Sequence, residues 1–203
     1  EAVKTLAIDT SAGTSIAVLD GATVLAEINH AENMTHAERI GSTIAEVLSM
    51  ANLLSSQIKR VVVGVGPGPF TGLRVGIAAA KFFAVGVGAE LVSVCSLDSI
   101  AYQYYQSGGE GSLLIETDAR RKEHFWATYT GFSDGVPLRV VGPKVNKPED
   151  IKSAGFQTTE FLVSAGALGQ LAFAQGRKVS HDLTPLYLRE PDATPSKGKK
   201  VSG

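Results

Sequence analysis

Residues 61–87 constrain the fold more than any other stretch. Val61-Val62-Val63 is a run of β-branched apolar side chains with no polar residue to mark a wet face. A strand of this kind is buried on both sides. It runs into Gly64-Val65-Gly66-Pro67-Gly68-Pro69-Phe70-Thr71-Gly72, whose prolines keep the loop out of a helix. The residues that follow read as a helix to about Val87, with Thr71 as its cap. Buried strand, tight loop and long apolar helix in that order belong to an α/β protein.

The neighbouring segments agree. Leu6-Ala7-Ile8, Thr14–Leu19 and Val24–Ile28 read as a strand meander, with Asp20-Gly21 as a hairpin turn of type I′. Thr35 and Glu38 have the spacing of a capping box. Behind them Ala37, Ile40, Ile44, Val47, Leu48 and Ala51 recur at helical period. Leu91–Cys95 is the next strand, and Ser96 caps a short helix through Tyr105. A second half echoes the first. It has a strand at Leu113-Leu114-Ile115, a hairpin from His124 through Asp134-Gly135 to Val141, and a short helix near Asn146 and Pro148. A strand at Phe161-Leu162-Val163 and a helix at Leu168–Phe173 complete it. The expected organisation is one lobe over 1–107 and a related lobe over 108–194. The strand-to-helix passage near 163–165 looks curtailed, as if a loop were missing. Residues 195–203, with three lysines, are expected to be a disordered tail. The chain opens on Glu1 without a methionine, so a start further upstream is expected.

Composition narrows the function. The chain has 203 residues, 44% hydrophobic and 19% charged, with a net charge of −1. A domain of this size can bury about 70% of its unfolded surface. A protein that grips RNA phosphates by itself usually carries a basic surplus, so any RNA contact is expected to be shared with a partner. The single cysteine, Cys95, cannot form an internal disulfide and suits a reducing, cytoplasmic setting. It reads as a buried strand thiol and not as a nucleophile. The longest greasy stretch, Gly76–Val87, is interrupted by Lys81 and falls short of the ~20 residues that span a bilayer, so no membrane partner is expected.

Candidate chemistry is sparse. Asp9-Thr10-Ser11 follows a strand and precedes a turn near Gly13, where an aspartate and hydroxyls can face a phosphate-bound metal. Its plainer reading is a strand-end turn with local hydrogen bonds. The Gly64–Gly72 loop can hold an anion on backbone amides. It lacks the Gly-Lys-Ser/Thr ending of a phosphate loop, and two prolines remove donors. A rigid turn that permits close backbone approach is the preferred reading. His30 and His36 are six apart, and the four histidines give no i, i+4 ligand pair, so no metal is expected. No Gly-x-Ser-x-Gly elbow is present, and no catalytic residue is assigned. Asp118, Arg120, Arg121, Lys122 and Glu123 cluster between two strands, either as an anion or partner site or as a solvated turn.

Leu6-Ala7-Ile8-Asp9-Thr10-Ser11, the block from Val63 to Ile77, Asp118-Ala119-Arg120, Phe125–Tyr129 and Pro185–Arg189 together resemble the TsaB (YeaZ) family. The resemblance implies an actin/Hsp70/sugar-kinase-like fold of two RNase H-like lobes. It implies an inactive, glycoprotease-like homologue of TsaD, which is the catalytic subunit. The implied role is a non-catalytic cytoplasmic subunit that pairs with TsaD, and with the ATPase TsaE, for threonylcarbamoyl transfer to adenosine 37 of tRNA. A homodimer is expected when TsaD is absent, and tRNA is met only through the complex. The resemblance places the partner contact on the first two helices, at Thr35, His36, Arg39, Ile40, Thr43 and Val47 and at Gly72, Leu73, Gly76, Ile77, Ala80 and Ala84. Asp9, Thr10, Ser11 and Asp118 are candidates for a vestigial phosphate site. Ser11, Ala119-Arg120 and Ser164-Ala165-Gly166 depart from the nucleotide signature of the wider fold, so no cofactor is expected and ATP binding should be weak or absent. The alternatives are an independent peptidase or small-molecule kinase of the same fold, and a nucleotide-sensing regulator.

Overall fold

A computed structural model describes residues 2–31 and 36–189. The apolar run at 61–63 lies in an interior strand of a mixed five-stranded sheet. Strands β1 (Lys4–Asp9), β2 (Thr14–Asp20), β3 (Thr23–His30), β4 (Arg60–Gly64) and β5 (Glu90–Val94) are ordered β3-β2-β1-β4-β5. The meander β1–β3 is antiparallel, and β4 and β5 join β1 in parallel. In register, Ile8 faces Ile16 on one side and Val63 on the other, while Leu6 lies between Val18 and Val61.

Alternation decides what covers each face. Leu6, Ile8, Ile16, Val18, Val61 and Val63 meet helices α1 (His36–Met50) and α2 (Phe70–Val87) through Ile40, Ile44, Val47, Leu48, Ile77, Ala80 and Ala84. Ala7, Ala17, Leu19 and Val62 point the other way, onto helix α4 (Ala165–Gln175). With both faces covered, these strands have no wet side, which is why they read as continuous apolar runs. Helix α3 (Ser96–Gln106) carries Leu97, Ile100, Ala101 and Tyr105 into a third cluster. That cluster is completed by a three-stranded antiparallel sheet, β6 (Leu113–Asp118), β7 (His124–Ser133) and β8 (Val136–Asn146). The halves on either side of residue 107 therefore share a core, because α4 from the second covers the back of the first sheet.

Several local expectations shift for physical reasons. Helix α2 starts at Phe70 behind Pro69, with no side-chain cap, so Thr71 lies inside it. Cys95, not Ser96, takes the cap position of α3, because the Ser96 hydroxyl is used elsewhere. The β2–β3 turn has Gly21 and Ala22 between the closing pair Asp20 and Thr23, with only Gly21 at positive φ, as in a type II′ turn and not type I′. Asp134 and Gly135 both take positive φ, the requirement of type I′. Phe161-Leu162-Val163 is not a strand, and near Leu113 the added pairing is a single bridge to Gln157. Asn146 ends β8, and only a 3-10 turn at Pro148–Asp150 follows. Helix α4 begins earlier than read, at Ala165, because the Ser164 hydroxyl accepts the Ala167 N–H at 3.1 Å. The capping box at Thr35 and the tail at 195–203 lie outside the described residues.

Helix α2 has the length and composition to cross a bilayer. It lies instead on the sheet, with Leu73, Ile77, Ala80 and Ala84 in the core.

Candidate functional site

The end of β1 forms a buried polar node. Asp9 is 1% exposed. Its Oδ1 accepts the Ser11 N–H at 2.8 Å and the Ser11 hydroxyl at 2.5 Å. Its Oδ2 accepts the Ser96 hydroxyl at 2.5 Å, and Ser96 Oγ in turn accepts the Gly66 N–H at 3.1 Å. Thr10 donates its hydroxyl to the Gly72 carbonyl at 2.6 Å. The turn after β1, the glycine–proline loop and the start of α3 are thus stitched together. The glycines are what let the loop in. A Cβ on Gly64 would overlap the Asp9 carboxylate, one on Gly76 the Thr10 hydroxyl, and one on Gly68 would stand 2.8 Å from Ser11 Cα. Close backbone approach, the preferred reading of this loop, is what the structure shows.

Both oxygens of Asp9 are thus committed to the chain itself. Burial pushes its carboxyl above the usual 3.8, while hydrogen bonds from Ser11 and Ser96 pull it back. The folded state therefore favours the protonated form. That contribution is complete below the unfolded value of 3.8 and is lost as pH rises through the raised folded value. Asp9→Asn cannot ionise, so its urea midpoint should gain on the wild-type midpoint as pH rises across the range above 3.8. A difference that stays flat across that range would refute the assignment.

Asp118 is the last residue of β6. It is exposed, and its Oδ1 accepts the Arg120 N–H at 2.7 Å. The N-terminus of α4 is occupied from within. Glu27 Oε1 accepts the Ser164 hydroxyl at 2.8 Å and the Gly166 N–H at 3.3 Å, and Ser15 Oγ accepts the Ala165 N–H at 2.8 Å. A second buried node lies on α3. Asp98 Oδ1 accepts the Tyr129 hydroxyl at 2.7 Å and lies 3.5 Å from Arg139 Nη1. Beside it Cys95 is buried at the start of α3, just beyond β5. Burial and then the Asp98 charge push its thiol up to about 12, so it is inert as a nucleophile. Among the described residues, no group of three or more His, Cys, Asp and Glu side chains is arranged to hold a metal ion.

The helix surface differs most from expectation. Gly72, Leu73, Gly76, Ile77, Ala80 and Ala84 are all buried within this chain, as are Ile40, Thr43 and Val47. The small-residue stripe serves the contact between α2, Thr10 and the sheet. Arg39 is exposed, and Thr35 and the His36 side chain lie outside the described residues. Another stripe faces outward from α2: Arg74, Ala78, Phe82 and Val85, at helical spacing, with Phe82 81% and Val85 83% exposed. The sequence carries this signal. Helix α2 is apolar nearly all round, so one face beyond the core-facing stripe had to be left uncovered.

The comparisons with known proteins fit this geometry. The family model of TsaD, tRNA N6-adenosine threonylcarbamoyltransferase, matches residues 23–183, which makes the chain a TsaD-like α/β protein. An uncharacterised protein of Mycobacterium tuberculosis is 37% identical over 186 residues, covering 85% of this chain and 83% of that protein. The tRNA threonylcarbamoyladenosine biosynthesis protein TsaB of Haemophilus influenzae is 30% identical over 195 residues, covering 91% of this chain and 83% of that one. In three dimensions YeaZ from Pseudomonas aeruginosa matches with a TM-score of 0.78 at 24% identity, over 92% of this chain and 100% of that chain. The chain belongs to the TsaB (YeaZ) family.

Proposed function

We propose that this chain is a non-catalytic subunit in the formation of threonylcarbamoyladenosine on tRNA, pairing through the outer face of α1 and α2 with a TsaD homologue. The observation that carries the reading is the exposed apolar stripe of α2, with Phe82 and Val85 standing out of a helix already packed on its own sheet. A monomeric soluble protein rarely leaves large apolar side chains so bare in one place. The match to the TsaD family model supports the choice of partner, since a homologous subunit can present an equivalent helix pair. In this reading the fold is of the actin/Hsp70/sugar-kinase type with two RNase H-like lobes, the complex works in the cytoplasm, and a TsaE homologue and tRNA are met through the complex. A second copy of the chain takes the same face when TsaD is absent. The internal commitments of Asp9 and of the α4 N-terminus support a subunit whose ancestral nucleotide contacts now serve the fold.

Size-exclusion chromatography with light scattering tests the pairing, using the TsaD homologue of the same cell. A one-to-one complex is expected at micromolar concentration, and tRNA modification should require both subunits. Peptide hydrolysis or tRNA modification by the pure chain would favour the independent enzyme instead, and co-elution of neither partner would defeat the proposal.

A further inference from the structure

Residues 179–189 form neither helix nor an extended strand, yet they are pinned at each step. The Ser93 N–H donates to the Ser180 carbonyl at 2.8 Å, and the Leu186 N–H to the Val65 carbonyl at 2.8 Å. The Leu186 side chain packs against both the α1–α2 core and the core between α3 and the second sheet. The Tyr187 ring lies 4.6 Å from that of Phe70, the first residue of α2. Arg74 also covers Phe70, at 4.9 Å, and it belongs to the outward stripe that carries Ala78 and Phe82. Two residues further on, Arg189 Nη1 donates to the Ala119 carbonyl at 2.8 Å. Its Nη2 donates to the Arg120 carbonyl at 3.3 Å and pairs with the Glu123 carboxylate.

What Arg189 grips is an unusual turn. Arg120, Arg121 and Lys122 take φ of 60°, 55° and 60°, a left-handed conformation disfavoured for side chains with a Cβ. Local bonds help: the Glu123 N–H reaches the Arg120 carbonyl at 3.0 Å, and the Ala119 N–H the Glu123 carbonyl at 2.9 Å. Such a backbone persists only where its surroundings over-determine it. Here the carbonyls of the turn are held by a guanidinium brought in from a segment anchored on α2.

We propose that Leu186–Arg189 is a strap that couples the start of α2 to the Arg120–Lys122 turn, so that a partner seated on α2 sets the order of a turn at the end of the second sheet. The partner side of this inference rests on the pairing proposed above. The strap itself is a property of the single chain.

The test is timed trypsin digestion of the full chain, with mass spectrometry following cleavage after Arg120, Arg121 and Lys122. Cleavage after Lys59 and Lys81 serves as the control for global unfolding. Tyr187→Ala, at the α2 end, and Arg189→Met, at the turn end, should each raise cleavage of the turn roughly tenfold with the control sites unchanged. The double variant should do no more than Arg189→Met alone, because the two residues act in series. Wild-type cleavage of the turn in Tyr187→Ala overturns the coupling, and wild-type cleavage in both variants shows that the turn supports itself. Adding the TsaD homologue should slow cleavage in the wild-type chain but not in Tyr187→Ala that still binds. Equal protection of both also overturns the coupling. If TsaD binds neither, the pairing proposal falls while the free-chain digestion still decides the strap.

Discussion

Phe82→Asp should weaken pairing with the TsaD homologue by at least about 100-fold while leaving the subunit folded. The side chain is 81% exposed in the single chain, so replacing it removes little from the core. In a complex it would be an aromatic anchor, and truncating such an anchor costs roughly 2–4 kcal/mol. Aspartate adds an unpaired charge that must be buried or must hold the helices apart. Val85, 83% exposed one turn on, should behave in the same way with a smaller loss. Light scattering reads the pairing, and circular dichroism confirms the fold. A folded Phe82→Asp subunit that still pairs at wild-type affinity would move the interface off α2.

The residues that were hard to assign share a cause. Val61–Val63, Ile8 and Ile16 could be placed from sequence because β-branched runs bounded by turns have few homes outside a covered sheet. The glycine–proline loop was legible as a close-approach turn because several small residues in succession need a tight neighbour. The facing of α2 was not legible. Gly72, Gly76, Ala80 and Ala84 form a narrow seam, but a seam is the same in sequence whether it meets another subunit or the chain's own Thr10. Only the position of β1 decides, and that is a long-range fact. Ser96 shows a related limit. Before a helix it reads as a cap, yet its hydroxyl goes to Asp9, far away in sequence, because a buried carboxyl group left without a hydrogen-bond partner is costly. The Phe161–Val163 segment has the composition of a strand but joins neither sheet. The Leu162 carbonyl accepts the Gln103 amide at 2.7 Å instead.

Gly76→Leu is expected to unfold the protein or nearly so, and the argument rests on what surrounds that one Cα. Even a Cβ at residue 76 overlaps the Thr10 hydroxyl. Thr10 cannot simply turn away, because it is buried and its hydroxyl satisfies the Gly72 carbonyl at 2.6 Å. Neither can its backbone, held between β1 and the Asp9–Ser11 bonds. Overpacking costs about 1–3 kcal/mol, and a buried hydrogen bond left unmade about 1–3 more. The helix itself would favour the change, since glycine in a helix interior costs only about 1 kcal/mol relative to a good former. The balance is a loss of several kcal/mol from a total of roughly 5–15. Gly86 in the same helix supplies the control. It is exposed, with nothing within 4 Å of where its Cβ would stand, so Gly86→Ala should raise stability by about 0.5–1 kcal/mol. Urea titration followed by circular dichroism measures both. Pairing lost in Gly76→Leu together with its fold places the small-residue stripe inside the subunit. A Gly76→Leu chain as stable as Gly86→Ala, yet unable to pair, would return that stripe to the partner surface.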